Sequence, residues 1–201
     1  VTSFKQPTSE ELKHDFLWRV NRALPPRGTI AIFNRSYYED VLVVQVHDLQ
    51  KTYQMADRVL GESKKAFFKK RYRQIRNYEE YLFDNSYRIV KIFLNISKKE
   101  QKKRFLERID NPAKNWKFSS SDLAERAHFD EYLDVYADVI DATATPENPW
   151  YALPADRKWY TRYLVSEIVL DALQQCSHTY PQLDAAAQAA LKDCRTQLEA
   201  E

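Results

Sequence analysis

Short strand-like segments alternate with longer helix-like segments along this chain of 201 residues. The strand-like segments carry apolar or β-branched runs, whereas the helix-like segments carry apolar residues at helical spacing. The predicted strands are residues 1–5, 29–33, 88–96 and 150–155. The predicted helices are residues 8–24, 38–47, 64–86, 98–109, 122–140, 159–175 and 182–200. This alternation favours an α/β fold in which helices cover both faces of a parallel sheet.

The second predicted strand ends in a group of polar side chains. Its apolar run, residues 30–33, is read as a buried strand, and Asn34, Arg35 and Ser36 follow it directly, with Glu39 close behind. In open α/β sheets, ligands bind beyond the carboxyl ends of the strands. The amide, guanidinium, hydroxyl and carboxylate groups suit a phosphate and its metal ion. A polar turn with no ligand is the alternative interpretation.

The chain has two glycines, Gly28 and Gly61. A glycine-rich phosphate loop of the type G-x-x-x-x-G-K-[ST] needs two glycines in one short segment, followed by lysine. Since neither glycine has this context, the loop is absent from this chain.

Composition indicates a single core of substantial size with room for one mobile insertion. The formal net charge is only +2, so global charge does not indicate a nucleic-acid partner. No apolar run approaches the roughly 20 residues that span a membrane, and no signal peptide is visible. Cys176 and Cys194 lack metal-ligand spacing, which predicts two buried or inert thiols and a cytoplasmic location.

Capping residues mark two of the predicted helix starts. Thr8 and Glu11 have the spacing of a capping box before an apolar face that runs from Leu12 to Leu24. Ser97 can cap the helix that follows the strand at 88–96.

Five longer stretches match, in the same order, the motifs of one known family. They read TSFKQP (2–7), FLWR (16–19), IFNRSYYEDVL (32–42), NWKFS (115–119) and ADRKW (155–159). Through these stretches the chain resembles the family-2 polyphosphate kinases over residues 1–175. It looks most like the subgroup that phosphorylates nucleoside mono- and diphosphates.

The resemblance implies a fold and an activity. The expected fold is a P-loop kinase-like, three-layer αβα architecture with a parallel sheet and a helical lid, similar to thymidylate kinase. The expected activity is phosphoryl transfer between inorganic polyphosphate and adenine nucleotides, with guanine nucleotides as further candidates and Mg²⁺ as cofactor. Residues 1–175 would form the core, 108–128 the lid and 176–201 a C-terminal helical extension. A homo-oligomer, dimer or tetramer, is expected, with neither nucleic acid nor membrane as partner.

One family feature has no counterpart in this chain. Relatives carry a G-x-D-x-x-G-K-type loop, with its first strand, upstream of the point at which this sequence begins. Because a start within a strand would leave a sheet edge exposed, we expect an incomplete N-terminus and a 201-residue chain that is inactive alone.

The resemblance also assigns roles to the residues of the strand end. Arg35 would clamp phosphate with its planar fork, unless it only forms a structural ion pair. Glu39 would orient the acceptor nucleotide or a hydrated Mg²⁺, or else favour the start of a helix. Asn34 stands where some relatives have aspartate, which predicts metal contact through water. Ser36 would bind phosphate or cap a helix, and Lys5, just beyond the first strand, could reach phosphate.

The lid would supply a second set of substrate-binding groups. Arg108, Lys114, Lys117 and Arg126 would close over polyphosphate and replace its water with fixed positive charge. Trp116 could stack on a base or anchor the lid by packing.

Other patterns carry weaker hypotheses. An acidic stripe that runs along the predicted helix 122–140 and one residue beyond it (Asp130, Asp134, Asp138 and Asp141) is a conceivable metal site but more typical of a solvated face. Four scattered histidines receive no chemical role. The basic stretch at 64–76 predicts an amphipathic helix whose charged side could attract a polyanion. A non-catalytic module that binds polyanions or nucleotides is the alternative function.

Overall fold

The computed structural model of the chain describes residues 1–176 and 179–201. These residues form two compact units, 1–165 and 166–201. His178, one of the histidines without an assigned role, lies outside the described residues. The predicted core boundary at residue 175 stays a prediction.

Two pairs of parallel strands form the β-structure of the described chain. β1 (Thr2–Ser3) pairs with β2 (Phe33–Asn34) in the register Thr2 to Phe33. β3 (Lys91–Asn95) pairs with β4 (Trp150–Pro154), beginning with Lys91 opposite Trp150. Parallel pairing across helical connections confirms the predicted α/β class, although the strands form two two-stranded sheets in place of one larger sheet.

Helices of very different length connect these strands. Short 3-10 helices occupy Glu11–Lys13, Tyr37–Asp40, Leu49–Thr52 and Asn115–Lys117. The α-helices are α1 (Trp18–Asn21), α2 (Val43–Val46), α3 (Asp57–Leu60), α4 (Lys64–Asp84), α5 (Lys98–Asp110), α6 (Ser120–Ala127), α7 (Phe129–Thr143), α8 (Lys158–Gln174) and α9 (Ala185–Glu199).

The helix predicted at 64–86 is confirmed as α4, the longest helix described. The Ser63 hydroxyl caps its first turn by accepting a hydrogen bond from the Ala66 amide at 3.3 Å. Phe68, Ile75 and Leu82, spaced by seven residues, are buried on its inner face. α4 packs against α7, whose Val139 is fully buried, so these two helices form the centre of the core.

The prediction of a buried strand at 29–33 was wrong in extent and in burial. Only Phe33 of that range belongs to β2, while Ile30 and Ile32 are 73% and 59% exposed. Among the described residues β2 pairs with β1 alone, and this ladder reaches upstream no further than the Ile32 carbonyl, which accepts from the Thr2 amide.

The predicted continuous helix at 8–24 is interrupted. The expected capping box forms, with the Thr8 amide donating to Glu11 Oε2 at 2.7 Å and the Glu11 amide donating to Thr8 Oγ1 at 3.2 Å. It opens only a 3-10 turn, because His14 is extended and Asp15 Oδ1 captures the Leu17 amide at 2.9 Å. Side-chain capture of a backbone amide competes with helix hydrogen bonding at this point.

The predicted helix at 122–140 is also two helices, α6 and α7. His128 is the C-cap residue of α6 and also the N-cap residue of α7. Its ψ of 13° lies outside the helical range and separates the two helices. The start of α6 has a complete capping box between Ser119 and Asp122. The Ser97 cap of α5 is confirmed, since its hydroxyl accepts from the Glu100 amide at 3.1 Å.

The two cysteines are free thiols, as predicted, but both are exposed, so of the two predicted states, buried or inert, burial does not hold. Cys194 lies on α9, where no residue is buried, and Cys176 follows α8. Within the described residues, no helix combines the length and apolar character required to cross a membrane.

Candidate functional site

Parallel pairing brings together polar residues that follow two different strands. Lys5 comes just after β1, and Arg35 and Ser36 follow β2. The side-chain amide of Asn34 donates to Ser3 Oγ at 3.3 Å, and this hydrogen bond ties the two strand ends together. The parallel register therefore places the residues that follow β1 beside those that follow β2, at the carboxyl edge of this strand pair.

Arg35 ends β2 through its backbone conformation. Its φ of 63° lies in the left-handed region, which costs a non-glycine residue about 1–2 kcal/mol. Its side chain is 61% exposed and approaches Glu39 Oε2 at 3.7 Å. A strained, largely exposed cation at a strand end is typical of functional sites, and most of its hydrogen-bonding capacity is available to a ligand.

Ser36 begins the 3-10 helix Tyr37–Asp40. Its hydroxyl accepts a hydrogen bond from the Tyr38 amide at 3.3 Å, so the capping role is present. A phosphate contact by Ser36 stays a prediction.

Glu39 is a largely buried carboxylate between the strand end and α7. Burial raises the pKa of Glu39, although Arg35 and Arg19 act to lower it. Burial, and to a smaller extent the negative charge of Glu39, raises the pKa of Tyr136 to about 12. Glu39 therefore takes up a proton more readily than an exposed glutamate.

Arg19 is a site residue that the sequence reasoning missed. Its guanidinium donates to the Lys5 carbonyl at 2.8 Å and lies 5.3 Å from the centre of the Phe4 ring. These contacts hold α1 against the end of β1, where an open cleft of about 490 Å³ lies between them. The FLWR stretch contained this residue, but a single arginine in a short helix carries no functional signal of its own.

The residues predicted to form a lid lie on α5, α6 and the segment between them. Arg108 approaches Asp122 at 3.8 Å, and Lys114 pairs with Glu107. Arg126 donates to the Lys98 carbonyl at 2.9 Å. Those three cations hold the segment together, since each contact joins two of its parts or ties it to the start of α5.

Two further lid residues remain available to a ligand. Trp116 is 78% exposed, and the Lys117 ammonium lies 4.8 Å from its ring centre. The aromatic ring of this segment that packs against α5 is that of Phe118, which lies 6.0 Å from the Phe105 ring. An exposed indole beside a cation fits stacking on a base better than packing.

A polar cluster that was not predicted from the sequence joins α6 to the core. His47 Nε2 lies 3.1 Å from Glu125 Oε2, and the Tyr132 hydroxyl donates to the same oxygen at 2.8 Å. The His47 and His128 rings are 5.0 Å apart. These residues are up to 85 positions apart in the sequence, so no local pattern could have related them.

We expect Glu125→Ala to loosen α6 without unfolding the protein. The variant loses two hydrogen bonds from His47 and Tyr132, worth about 1 kcal/mol each at a half-exposed site. Hydrogen exchange of the amides in 120–127 should speed up by as much as about 30-fold, the factor that corresponds to about 2 kcal/mol, while α4 stays unchanged.

Glu131→Ala is the matched control for this measurement. Glu131 pairs with His128 within one turn, at 2.9 Å, and among the described residues it has no hydrogen bond or ion pair to His47. Equal acceleration in α6 in both variants would show that Glu125 does not fasten this helix.

A buried carboxylate lies directly beneath the strand end. Glu79 of α4 is 1% exposed and accepts hydrogen bonds from the Tyr37 and Tyr38 hydroxyls at 2.7 and 2.8 Å. The Lys91 ammonium donates to its other oxygen at 2.6 Å and to the Thr143 carbonyl at 2.8 Å. This network joins the segment after Ser36 to α4, β3 and α7. A glutamate at an inward-facing helix position was the only available hint in the sequence.

Few oxygen ligands for a metal lie near the strand end. Asn34 retains its amide oxygen, and Glu39 is engaged by Arg35. Within the described residues, no group of three or more His, Cys, Asp or Glu side chains could hold a metal ion. So sparse a set suits a divalent ion that keeps several waters and takes one or two protein ligands plus substrate phosphates.

The acidic stripe on α7 is exposed along its length. Asp130 pairs with Lys98 of α5 at 2.8 Å. The stripe therefore has the exposed arrangement that is typical of a solvated face.

Comparison with known proteins agrees with this architecture. The model of the family Polyphosphate kinase 2 (PPK2) matches residues 1–181. The crystal structure of polyphosphate kinase 2 from Arthrobacter aurescens superposes with a TM-score of 0.82 at 43% identity, covering 94% of this chain and 63% of that one.

Two curated relatives are similar along nearly the whole chain. An ADP-polyphosphate phosphotransferase of Rhodopseudomonas palustris is 48% identical over 98% of this chain and 68% of its own length. An AMP/ADP-polyphosphate phosphotransferase of Meiothermus ruber is 44% identical over 94% of this chain and 66% of its own length. The chain thus spans about two thirds of these relatives. On the family match and these identities, it belongs to the polyphosphate kinase 2 family.

Proposed function

We propose that the protein transfers a phosphoryl group between inorganic polyphosphate and AMP or ADP. In the synthetic direction, the terminal anhydride bond of polyphosphate breaks and a nucleotide phosphate oxygen bonds to the transferred phosphorus. Polyphosphate leaves one unit shorter. The observation that carries this proposal is the convergence of Lys5, Asn34 and Arg35 at one edge of the β1–β2 pair. The names of the relatives point to the same reaction.

Transfer of this kind depends on positioning and charge neutralisation more than on covalent chemistry by the protein. Arg35 can grip two phosphate oxygens because its guanidinium is exposed and planar. Glu39 sets the orientation of Arg35 through their 3.7 Å ion pair. Lys5 supplies a second positive charge, and Arg19 fixes the backbone that carries it.

Mg²⁺ fits as the cofactor. Asn34 and Glu39 would contact it through water, while the substrate phosphates provide the remaining ligands. When bound, the ion would neutralise charge on the transferred group.

The lid segment 108–128 would cover the substrates. Arg108, Lys114 and Arg126 make contacts that keep this segment ordered. Of the five predicted binding residues in this segment, Trp116 and Lys117 are the exposed ones, so they are the better candidates for direct contact with nucleotide or polyphosphate. Closure would exclude water, which otherwise competes as the acceptor.

The remaining assignments follow from the same resemblance. We propose a homo-oligomer, adenine nucleotides with guanine nucleotides as secondary substrates, a core that ends near residue 175, and a cytoplasmic location. The two free, exposed thiols suit a reducing compartment.

The test is an assay of ATP formation from ADP, polyphosphate and Mg²⁺. The full-length gene product and the 201-residue chain are compared at equal concentration, with luciferase as the readout. We expect ATP from the full-length product and essentially none from this chain alone, because the chain contains no glycine-rich phosphate loop.

Binding separates the enzyme from the non-catalytic alternative. If the full-length product binds ADP and polyphosphate by calorimetry but forms no ATP, the binding-module function replaces the kinase function. Robust turnover by the 201-residue chain would instead show that the loop is dispensable.

A further inference from the structure

One face of α4 carries four cations without a carboxylate partner. Lys65, Lys69, Arg73 and Arg76 are all exposed. Offsets of four, four and three residues place them on one side of the helix. None of the four has an ion pair within the described part of the chain. We call these four residues the α4 stripe; it extends over about 16 Å at the helical rise of 1.5 Å per residue.

The other basic residues of the same stretch are neutralised locally. Lys64 pairs with Asp48 at 2.8 Å, and Lys70 pairs with Glu62. Arg71 is buried against Asp40 at 3.0 Å. The stretch is thus divided into paired cations, which stabilise the fold, and the α4 stripe, which does not contribute an ion pair to it.

Few negative groups lie near the stripe. Glu80 occupies the same side of α4 beyond Arg76, and Asp138 of α7 lies close enough to Tyr72 to act on its pKa. Because the four cations outnumber these two carboxylates, the electrostatic potential along the stripe is positive.

We propose that the α4 stripe is a tethering site for linear inorganic polyphosphate, separate from the strand-end site. It rests on the proposed function only in naming polyphosphate as the polyanion. A row of cations about 16 Å long suits a flexible chain of phosphates, which offers negative charge at every unit. Lysine, a compact point charge, makes no demand on the geometry of such a chain.

The composition of this face disfavours single-stranded RNA as the occupant. Binding of single strands relies on aromatic side chains that stack on the bases. Between Lys65 and Arg76, the aromatic residues Phe67 and Phe68 are buried, and Tyr72 is half-buried with its hydroxyl donating to Gln45 at 2.7 Å. The face therefore offers charge but no stacking surface.

Its position on α4 gives the stripe a role distinct from the chemistry. The inner face of α4 holds Tyr37 and Tyr38 through Glu79, directly after the strand end. The stripe lies on the outer face of the same rigid helix. A long polyphosphate bound there would be kept near the reaction site between turnovers, which raises its effective concentration. Because a helix with its side chains is about 10 Å across, we expect a polyphosphate of only a few units to be too short to reach from the stripe to the strand end.

The test removes the four charges together. In the full-length protein, the stripe variant replaces Lys65, Lys69, Arg73 and Arg76 by glutamine, a good helix former. Affinity for fluorescently labelled long polyphosphate is measured by anisotropy over a range of salt concentrations. A variant that replaces only Lys65 and Lys69 serves as the intermediate case, and circular dichroism checks that each variant is folded.

The matched control removes four exposed cations from scattered positions. It replaces Lys13, Lys51, Lys192 and Arg195 by glutamine, which changes the net charge by the same amount. Three of these cations have carboxylate partners of their own. The comparison therefore separates the stripe from general charge attraction.

We expect the stripe variant to bind long polyphosphate at least about tenfold more weakly in 0.1 M salt. The slope of the logarithm of its binding constant against the logarithm of salt concentration should be shallower by about 3. The intermediate variant should lose about half of that slope, and the control should be little changed. In turnover, KM for long polyphosphate should rise while kcat and the KM for tripolyphosphate stay unchanged.

Several results would overturn the proposal. They are an equal loss in stripe variant and control, no loss in either, a stripe-dependent affinity that is greater for single-stranded RNA, or a change of oligomeric state with unchanged polyphosphate affinity. The last result would assign the stripe to a second copy of the chain. If the protein forms no ATP but binds polyphosphate through the stripe, the tethering site stands while the proposed reaction fails.

Discussion

Replacing Arg35 by alanine in the full-length protein is expected to lower the rate of ATP formation by about 10²–10³-fold, the usual effect of removing one donor that stabilises transition-state charge. Arg35 is 61% exposed and has one carboxylate neighbour, Glu39, at 3.7 Å. Its replacement would therefore remove the proposed phosphate-binding group while leaving the core intact. The measurements are kcat and KM for ADP and polyphosphate, with the melting temperature as a check on folding.

Two further variants make this result specific. Arg35→Lys keeps the charge but loses the planar fork, so we expect only partial recovery of kcat. Arg58→Ala removes an exposed arginine of α3 and should leave turnover unchanged. Unaltered kcat/KM in Arg35→Ala would mean that the ion pair with Glu39 is the whole role of this residue.

Replacing Lys91 by methionine is expected to destabilise the protein by about 3–5 kcal/mol, because it leaves a buried carboxylate without its counter-ion. Lys91 and Glu79 are both buried, with 2.6 Å between the ammonium nitrogen and the carboxylate oxygen. Burial lowers the pKa of Lys91, although Glu79 acts to raise it. Urea unfolding, read as the midpoint and slope, measures the change.

The double variant and a surface control complete this experiment. Combining Lys91→Met with Glu79→Gln should recover part of the lost stability, since no buried charge then remains unpaired. Lys13→Met breaks the exposed pair with Glu10 and should cost under about 1 kcal/mol. A cost below about 1 kcal/mol for Lys91→Met would show that the buried pair does not hold these elements together.

The local chemistry of the strand end could be predicted from the sequence, but its surroundings could not. The order of residues from Phe33 to Ser36 ends β2 and starts a helix by short-range effects, namely the left-handed φ of Arg35 and the Ser36 cap. The exposure of Ile30 and Ile32 was not predictable, because burial depends on which strands pair and not on apolar character.

Helix interiors and helix boundaries differ in the same way. The apolar spacing along α4 predicts its inner face over 21 residues. The breaks at His14 and His128 depend on single residues, where the backbone leaves the helical path and, at the first break, Asp15 captures a backbone amide. Periodicity averages over such points and therefore extends a helix through them.

The sequence alone determined the family, the α/β class and the candidate residues at the end of β2, because motifs and hydrophobic spacing are properties of neighbouring residues. Only the tertiary structure decided which distant side chains meet. Three sets of such contacts join different elements. They link Glu79 to Tyr37, Tyr38 and Lys91, Glu125 to His47, and Arg19 to Lys5. Such contacts depend on how the elements pack, which no local sequence pattern encodes, and they are what holds the strand end and the lid in place.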